Sequence, residues 1–204
     1  MSAKDTSMRQ DILSRIDAMH DYMTEKHNKV FSARFDVRFP AYYPSSGADI
    51  EKKISTFSRR LKEYYDNHGI DIAYLWVREQ VSSPHPHYHF SVLVDGGKVQ
   101  STYGLHQQAE RAWKNTLKTD QDGLIDQCPH SRDGRPSLNG TMIRRASSTA
   151  SGDELKGQRE EFERYLKYSK EMASYLAKSY SKDKAPWKAH DFGGSMIPKK
   201  DKPE

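Results

Sequence analysis

Hydrophobic and polar residues alternate over several short stretches of this chain. Over residues 31–39 every second residue is apolar and those between are polar or charged, which is typical of a β-strand with one buried side. Residues 70–79 and 87–95 predict a second and a third strand, and the proline-containing stretch 82–86 predicts the loop between them. Their spacing suits an antiparallel hairpin with a long loop.

Elsewhere apolar residues recur at steps of three and four, which predicts helices. This periodicity covers residues 8–27, 50–67 and 101–118, and a long fourth helix is expected over residues 160–180. The small and polar residues at 147–157 predict a flexible loop before that last helix. The chain therefore combines helices and strands.

Two shorter strands are expected within residues 123–128 and 138–145. The resulting order, α-β-α-β-β-α-β-β-α, predicts an α+β fold in which helices pack on a mainly antiparallel sheet. We divide the chain into an N-terminal helical segment at 1–29, one domain at 30–182 and an irregular basic tail at 183–204.

The composition narrows the class of protein. The 204 residues are 35% hydrophobic and 30% charged, which is enough for one domain with a core and a polar surface. The net charge of +5 favours polyanionic partners, although many ordinary proteins carry as much. One cysteine, Cys128, excludes a disulfide within the chain. Without a signal-peptide pattern or a long apolar stretch, we expect a cytoplasmic protein with no membrane partner.

Three of the nine histidines fall within five residues, at His85, His87 and His89. In an extended strand His87 and His89 point to one side, opposite Tyr88. The side of Tyr88 is apolar and should face the core, so the two histidines should face away from it. Two adjacent imidazoles can hold one divalent metal, or can simply lie on a solvated hairpin. His85 lies between two prolines and is assigned to the loop.

A carboxylate on the neighbouring strand is the natural third ligand, and Glu79 is the first candidate. Glu79 has the same parity along its strand as Leu75 and Val77, which should be buried, so it would face the core and not the histidines. A bulge, or the end of the strand, would have to turn its side chain to the other side. The alternative ligands are Gln80 and, more weakly, Asp36 and Asp95. Such a set suits Mg²⁺ or Mn²⁺ in an open-sided catalytic site, though Zn²⁺ binds these groups too.

The predicted last helix carries several tyrosines. Tyr168 and Tyr175 are seven residues apart and share a face, and Lys178 lies one turn beyond Tyr175 on that side. A phenol has a pKa of ~10 and is a weak nucleophile at neutral pH, but a metal and a nearby lysine can assist it. Taken alone, the helix fits tyrosines that pack at its border equally well. Tyr165 and Tyr180 align less well with Tyr175.

These motifs resemble a known family. The segment PHYHFSVLVDG at 86–96 resembles the HUH motif of rolling-circle replication initiators, and Tyr175-Leu-Ala-Lys178 resembles their Tyr-x-x-Lys motif. The segments 74–80 and 172–180 resemble the inovirus-type initiators of filamentous phages and related prophage or satellite elements. The resemblance covers residues 30–180 in motif order.

The resemblance implies a ferredoxin-like antiparallel sheet with the histidine strand at its centre. It implies an endonuclease that nicks single-stranded DNA at an origin, forms a 5′-phosphotyrosine link and frees a 3′-hydroxyl. His87, His89 and Glu79 would bind Mg²⁺ or Mn²⁺, Tyr175 would be the nucleophile and Lys178 would assist it. The partners would be origin DNA and a helicase and polymerase of the host or the element, in the bacterial cytoplasm.

Some alternatives stay open. Some family members use two tyrosines, and Tyr168 would then be the second nucleophile. Relaxases usually present three histidines, whereas only two fit the strand here, which favours an initiator. The chain has no P-loop pattern, so unwinding would need a partner. The alternative hypotheses for the function are an origin-binding module that does not nick, an HUH transposase, or a zinc hydrolase built on His87, His89 and Glu79.

Basic residues supply candidate contacts to DNA phosphates. The first candidates are Arg34 and Arg38, on the polar side of the first strand, and Arg144 and Arg145. The weaker candidates are Arg59, Arg60, Lys62 and the Lys-rich segment 198–202. Trp76 is expected either to stack on unpaired bases of DNA or to pack in the core.

Overall fold

The computed structural model describes residues 8–44, 47–80, 85–128, 140–178 and 190–198. Its helices are α1 (Gln10–Lys26), α2 (Gly47–Asn67), α3 (Thr102–Leu117) and α4 (Gly152–Ser174). Its strands are β1 (Lys29–Val37), β2 (Ile72–Glu79), β3 (His87–Asp95), β4 (Ile125–Asp126), β5 (Gly140–Arg144) and β6 (Phe192–Gly194). A 3₁₀ turn at Tyr175–Ala177 follows α4 directly.

The six strands form one antiparallel sheet with β3, the histidine strand, at its centre. Strand β3 pairs with β1 on one side and with β2 on the other. Strands β4 and β5 both pair with β1, at its two halves, and β6 pairs with β2. This arrangement confirms the predicted α+β class and is compatible with a ferredoxin-like fold.

Helices cover both faces of the sheet. Helices α2 and α3 pack on one face around Phe35, Phe57 and Trp113, which are all fully buried. Helices α1 and α4 cover the other face, where Ile12 of α1 and Leu93 of β3 share a second core. Burying one large apolar side chain contributes about 1.5–3 kcal/mol, so both cores hold the helices firmly on the sheet.

The last helix differs from its prediction at both ends. It begins at Gly152, inside the segment 147–157 that was predicted to be a loop, and it ends at Ser174. Asp153 and Glu154 lie in its first turn, where negative charge interacts favourably with the helix dipole. Residues 147–151 stay outside the helix, as predicted, whereas residues 152–157 form its first turns, and Tyr175 lies in the turn that follows the helix.

The prediction of a wholly irregular tail is also wrong. Residues 192–194 form β6, which covers the outer edge of β2. Two glycines, Gly193 and Gly194, allow the close approach: a Cβ at Gly194 would clash with the backbone carbonyl of Tyr74. Tyr180 and the basic stretch 199–202 lie outside the described residues. Within the described part of the chain, no helix is long and apolar enough to cross a membrane.

Candidate active site

The side of β3 that carries the histidines is covered by helices over much of its length, and His87 and His89 are only partly exposed. His87, His89, Ser91 and Leu93 share the face that α1 and α4 cover. The side chain of His89 is only 14% exposed, and Ser91 is buried. The two histidines do face away from the core that contains Tyr88, as predicted, but their side of the sheet is covered by a second layer of helices.

Glu79 lies on the same face as the histidines. It is the register partner of His87, and Val77 is the partner of His89, so Glu79 joins this side without any bulge. Leu75 and Val77 are buried as expected, but in the core beneath α1 and α4. The apparent conflict of parity disappears because both sides of β2 are buried.

His89 is bracketed by two carboxylates. Its Nδ1 lies 2.7 Å from Oδ1 of Asp36 on β1, and its Nε2 contacts Oε2 of Glu79 on β2. Burial disfavours the charged ring, but hydrogen bonds to Asp36 and Glu79 outweigh burial and raise the pKa of His89 to about 9. The imidazolium therefore donates from both ring nitrogens near neutral pH.

The environment of His89 fixes the protonation states of its neighbours. Burial would raise the pKa of Asp36, but the hydrogen bond from His89 holds it below its ordinary value, so Asp36 is ionised. Burial, with the positive charges of Arg38 and His89, lowers the pKa of His87, so this imidazole is neutral. Burial and the Asp36 carboxylate raise the pKa of the Cys128 thiol, which stays protonated.

The donor set has the chemistry of a divalent-metal site. Two imidazoles and a carboxylate, from His87, His89 and Glu79, lie side by side on β2 and β3. Among the described residues, no group of three or more His, Cys, Asp or Glu is arranged as a metal site. A hydrogen bond joins Nε2 of His89 to Oε2 of Glu79, and His89 would have to lose the proton of this bond before Nε2 could bind a metal. Asp36 holds the other ring nitrogen, as a carboxylate behind a ligating histidine does.

Of the three alternative ligands, two make other contacts. Gln80 accepts a hydrogen bond from Arg78. Asp95 lies at the far end of β3, where its carboxylate accepts from the Gly97 N–H at 2.8 Å. Asp36, which the sequence offered only as a weak candidate, is the one that contacts His89.

Two cations lie over the ring of Tyr175. The Arg34 guanidinium carbon lies 5.3 Å from its ring centroid, and the Lys178 ammonium lies 4.0 Å from it. Arg34 is two residues before Asp36 on β1, so their side chains share one face of the sheet. Tyr175 therefore lies over the same face as His89, the register partner of Asp36. The backbone N–H of Arg9 donates to the Ala177 carbonyl at 2.8 Å, which ties this turn to the N-terminal segment.

Two buried polar groups, on Arg34 and on its register partner, have no hydrogen-bond partner among the residues that the structure describes. Arg34 Nη1 donates to the Met172 carbonyl at 3.1 Å, but its Nε has no hydrogen-bond partner among the described residues. The hydroxyl of Ser91, the register partner of Arg34, also has none among them. An unsatisfied buried donor costs about 1–3 kcal/mol, so this pair marks a place where a ligand oxygen would be stabilised.

Tyr168 and the other predicted arginines occupy different positions. Tyr168 lies about 10 Å before Tyr175 along α4, and no hydrogen bond, ion pair or ring contact among the described residues joins it to this site. Arg38 is at the histidine end of the sheet and pairs with Asp126 at 2.8 Å. Arg144 and Arg145 lie at the opposite end of β1. The four predicted arginines therefore form two separate groups.

The fold and the site together define an α+β protein with a buried histidine–carboxylate cluster beside a cation-flanked tyrosine. The chain belongs to the YagK/YfjJ C-terminal domain family, whose model matches residues 1–128. That span runs from α1 to β4 and includes the histidine cluster, whereas Tyr175 and Lys178 lie beyond it. No curated protein and no solved structure gave a significant match.

Proposed function

We propose that this protein is an HUH-type replication initiator that nicks single-stranded DNA at an origin by metal-assisted tyrosine transesterification. The observation that carries the proposal is the position of Tyr175, between Arg34 and Lys178, on the face of the sheet that holds His87 and His89. A nucleophile, cations for a phosphate and a set of metal-ligand groups thus lie on one face of one sheet.

Each side chain has a role in this reaction. His87, His89 and Glu79 would hold Mg²⁺ or Mn²⁺, which when bound polarises the scissile phosphate. Asp36 fixes the ring of His89 through Nδ1. The Nε–H of Arg34, which has no hydrogen-bond partner among the described residues, would donate to a phosphate oxygen beside Tyr175.

The bond changes balance without a further reactant. The phenol of Tyr175 loses its proton to water, its oxygen bonds to phosphorus, and the bond from phosphorus to the 3′-oxygen breaks. The 3′-oxygen takes up a proton and leaves as a hydroxyl, which a polymerase of the host or the element would extend. Lys178 favours the charge that develops on the phenol oxygen.

Covalent capture tests this proposal. Labelled single-stranded oligonucleotides that together cover the DNA of the mobile element encoding the protein are mixed with the protein and Mn²⁺. Denaturing gels then reveal any covalent adduct. We expect an adduct with the natural protein, none with Tyr175→Phe, and an undiminished adduct with the matched control Tyr168→Phe. If Tyr168→Phe alone abolishes the adduct, Tyr168 is the nucleophile; if both variants retain it, neither is.

A second candidate function is an origin-binding module that does not nick. The observation that favours it is the closed ion pair, in which Asp36 and Glu79 occupy both ring nitrogens of His89. This candidate predicts that some tiled oligonucleotides bind tightly while none gives an adduct with Mg²⁺ or Mn²⁺. Strand transfer between two element ends would instead indicate an HUH transposase.

A further inference from the structure

A cavity of about 640 Å³ lies at the end of the sheet that is remote from the histidines. It opens between the start of β1, the end of β5 and the first turns of α4. The lining includes Lys29, Arg144, Arg145, Gln158 and Glu161, together with the loop at 146–148. A space of this size accommodates a ligand of one or two nucleotide units.

The charges in this cavity are not balanced. Lys29 and Arg144 are register partners on β1 and β5, both are exposed, and neither has an ion-pair partner among the described residues. Like charges directly opposite each other destabilise a sheet. Arg145 donates at 2.6 Å to the uncharged Asn28 side chain. The one acid in the lining, Glu161, lies 3.7 Å from Arg164.

The loop that closes the cavity is held in place. The backbone N–H of Ser147 donates to Oε1 of Gln158 at 2.7 Å, which ties the loop to α4. The Thr149 N–H donates to the Ser147 hydroxyl at 3.2 Å. Three cations, an amide and hydroxyl groups thus surround a preformed space.

We propose that this cavity binds backbone phosphates of DNA, as an anchoring site distinct from the nicking centre. The choice of DNA as the polyanion rests on the proposed function. Lys29 and Asp36 are seven residues apart on β1, which corresponds to about 23 Å along an extended strand. At 3.4 Å per base pair, about seven base pairs of duplex, or single-stranded DNA of that length, would join the two sites.

The salt dependence of DNA binding tests the anchoring site. Fluorescence anisotropy with random-sequence DNA of about 30 nucleotides, single-stranded in one arm and duplex in the other, needs no origin. The double variant Lys29→Gln/Arg144→Gln should bind about tenfold more weakly. Its slope of log affinity against log salt should fall by about 1.4 for single strands or about 1.8 for duplex. The arm with the larger loss identifies the form of DNA that the cavity binds.

The matched control is Lys52→Gln/Arg111→Gln, which removes the same charge from exposed positions on α2 and α3. We expect its affinity to stay within about twofold of the natural protein, because isolated surface charges are largely screened. Equal weakening of both double variants, no weakening of either, or no DNA binding by the natural protein would overturn the proposal. All proteins are compared by thermal unfolding. The changed residues are exposed, and removal of two opposed like charges should leave the midpoint of Lys29→Gln/Arg144→Gln equal to or slightly above that of the natural protein.

The nickase proposal and the anchoring-site proposal can be overturned independently of each other. If the natural protein gives an adduct but Lys29→Gln/Arg144→Gln keeps the natural salt slope, the anchoring site fails and the nickase proposal stands. If no protein gives an adduct but the salt slope still falls only in the cavity variant, the nickase proposal fails and the anchoring site stands.

Discussion

The Arg34 guanidinium carbon lies 5.3 Å from the ring centroid of Tyr175, and the same side chain donates to the Met172 carbonyl at the end of α4. Arg34 thus joins β1 to the turn that carries the tyrosine. Helix ends leave carbonyls without internal partners, and Arg34 satisfies one of them. The position of Tyr175 relative to the histidine strand therefore depends on a residue of the sheet.

We expect Arg34→Gln to slow adduct formation by about 10²-fold, because it removes a cation and an N–H donor beside the phosphate. Arg34→Lys should recover only part of this loss, since lysine keeps the charge but lacks the planar fork. Single-turnover rates with Mn²⁺ measure the effect. The control Arg38→Gln removes a guanidinium that pairs with Asp126, and it should change the rate less. A natural rate in Arg34→Gln would remove Arg34 from the reaction.

Metal binding should stabilise the fold through the histidine cluster. At about 100 times its Kd, Mn²⁺ should raise the free energy of unfolding by about 2.7 kcal/mol, which is measured as a shift in Tm. His87→Ala and Glu79→Gln should abolish this shift, and Asp36→Asn should weaken Mn²⁺ binding about 10–100-fold through His89. His68→Ala changes an exposed histidine in the turn after α2; it is the control and should keep the shift. A shift that survives His87→Ala and Glu79→Gln would place the ion elsewhere.

Periodicity predicted the order of the elements up to α4, because alternation and helical spacing are local properties. It did not predict that α1 and α4 cover the histidine side of β3. Leu93 lies on that side of β3, and Leu75 and Val77 lie beside it on β2; all three are buried. Apolar residues on both sides of neighbouring strands are typical of a sheet covered on both faces, and this signal could have been read from the sequence.

The candidate site was predictable where it depends on one strand and not where it depends on pairing. The His-x-His spacing placed His87 and His89 together, because side chains two residues apart share a side of a strand. The contact of Asp36 with His89 depends on the register between β1 and β3, which are far apart in sequence. The contact between Arg34 and Tyr175 depends on where α4 ends, and helix ends are poorly defined by sequence patterns.

The β6 strand gives a stability prediction. Gly194→Ala should destabilise the protein by about 1–3 kcal/mol, because the new Cβ would meet the rigid backbone carbonyl of Tyr74. Gly157→Ala, in α4, is the matched control. Nothing lies within 4 Å of a Cβ added at this position, so the change should stabilise the helix by about 0.5–1 kcal/mol. Urea unfolding measures both. An unchanged stability in Gly194→Ala would show that β6 contributes little to the folded state.

A buried histidine should make the fold sensitive to acid. The Nδ1 of His20, on α1, lies 2.8 Å from the Ile16 carbonyl, and its Nε2 lies 2.8 Å from the Ser169 hydroxyl of α4. That hydroxyl lies 2.7 Å from the hydroxyl of Ser32 on β1. Burial lowers the pKa of His20 to about 4, so the ring is neutral at pH 7, and its Nδ1–H donates to the Ile16 carbonyl.

Because the folded pKa lies below the unfolded value of ~6.5, the unfolded chain binds more protons between about pH 6.5 and 4. Stability should therefore fall as the pH drops through this window, by roughly 3 kcal/mol in all from this one residue. Urea unfolding at pH 7, 5.5 and 4.5 should show a smaller loss in His20→Gln than in the natural protein. The exposed control His68→Gln should keep the full loss. An identical loss in His20→Gln would mean that other groups, such as paired carboxylates, cause the acid sensitivity.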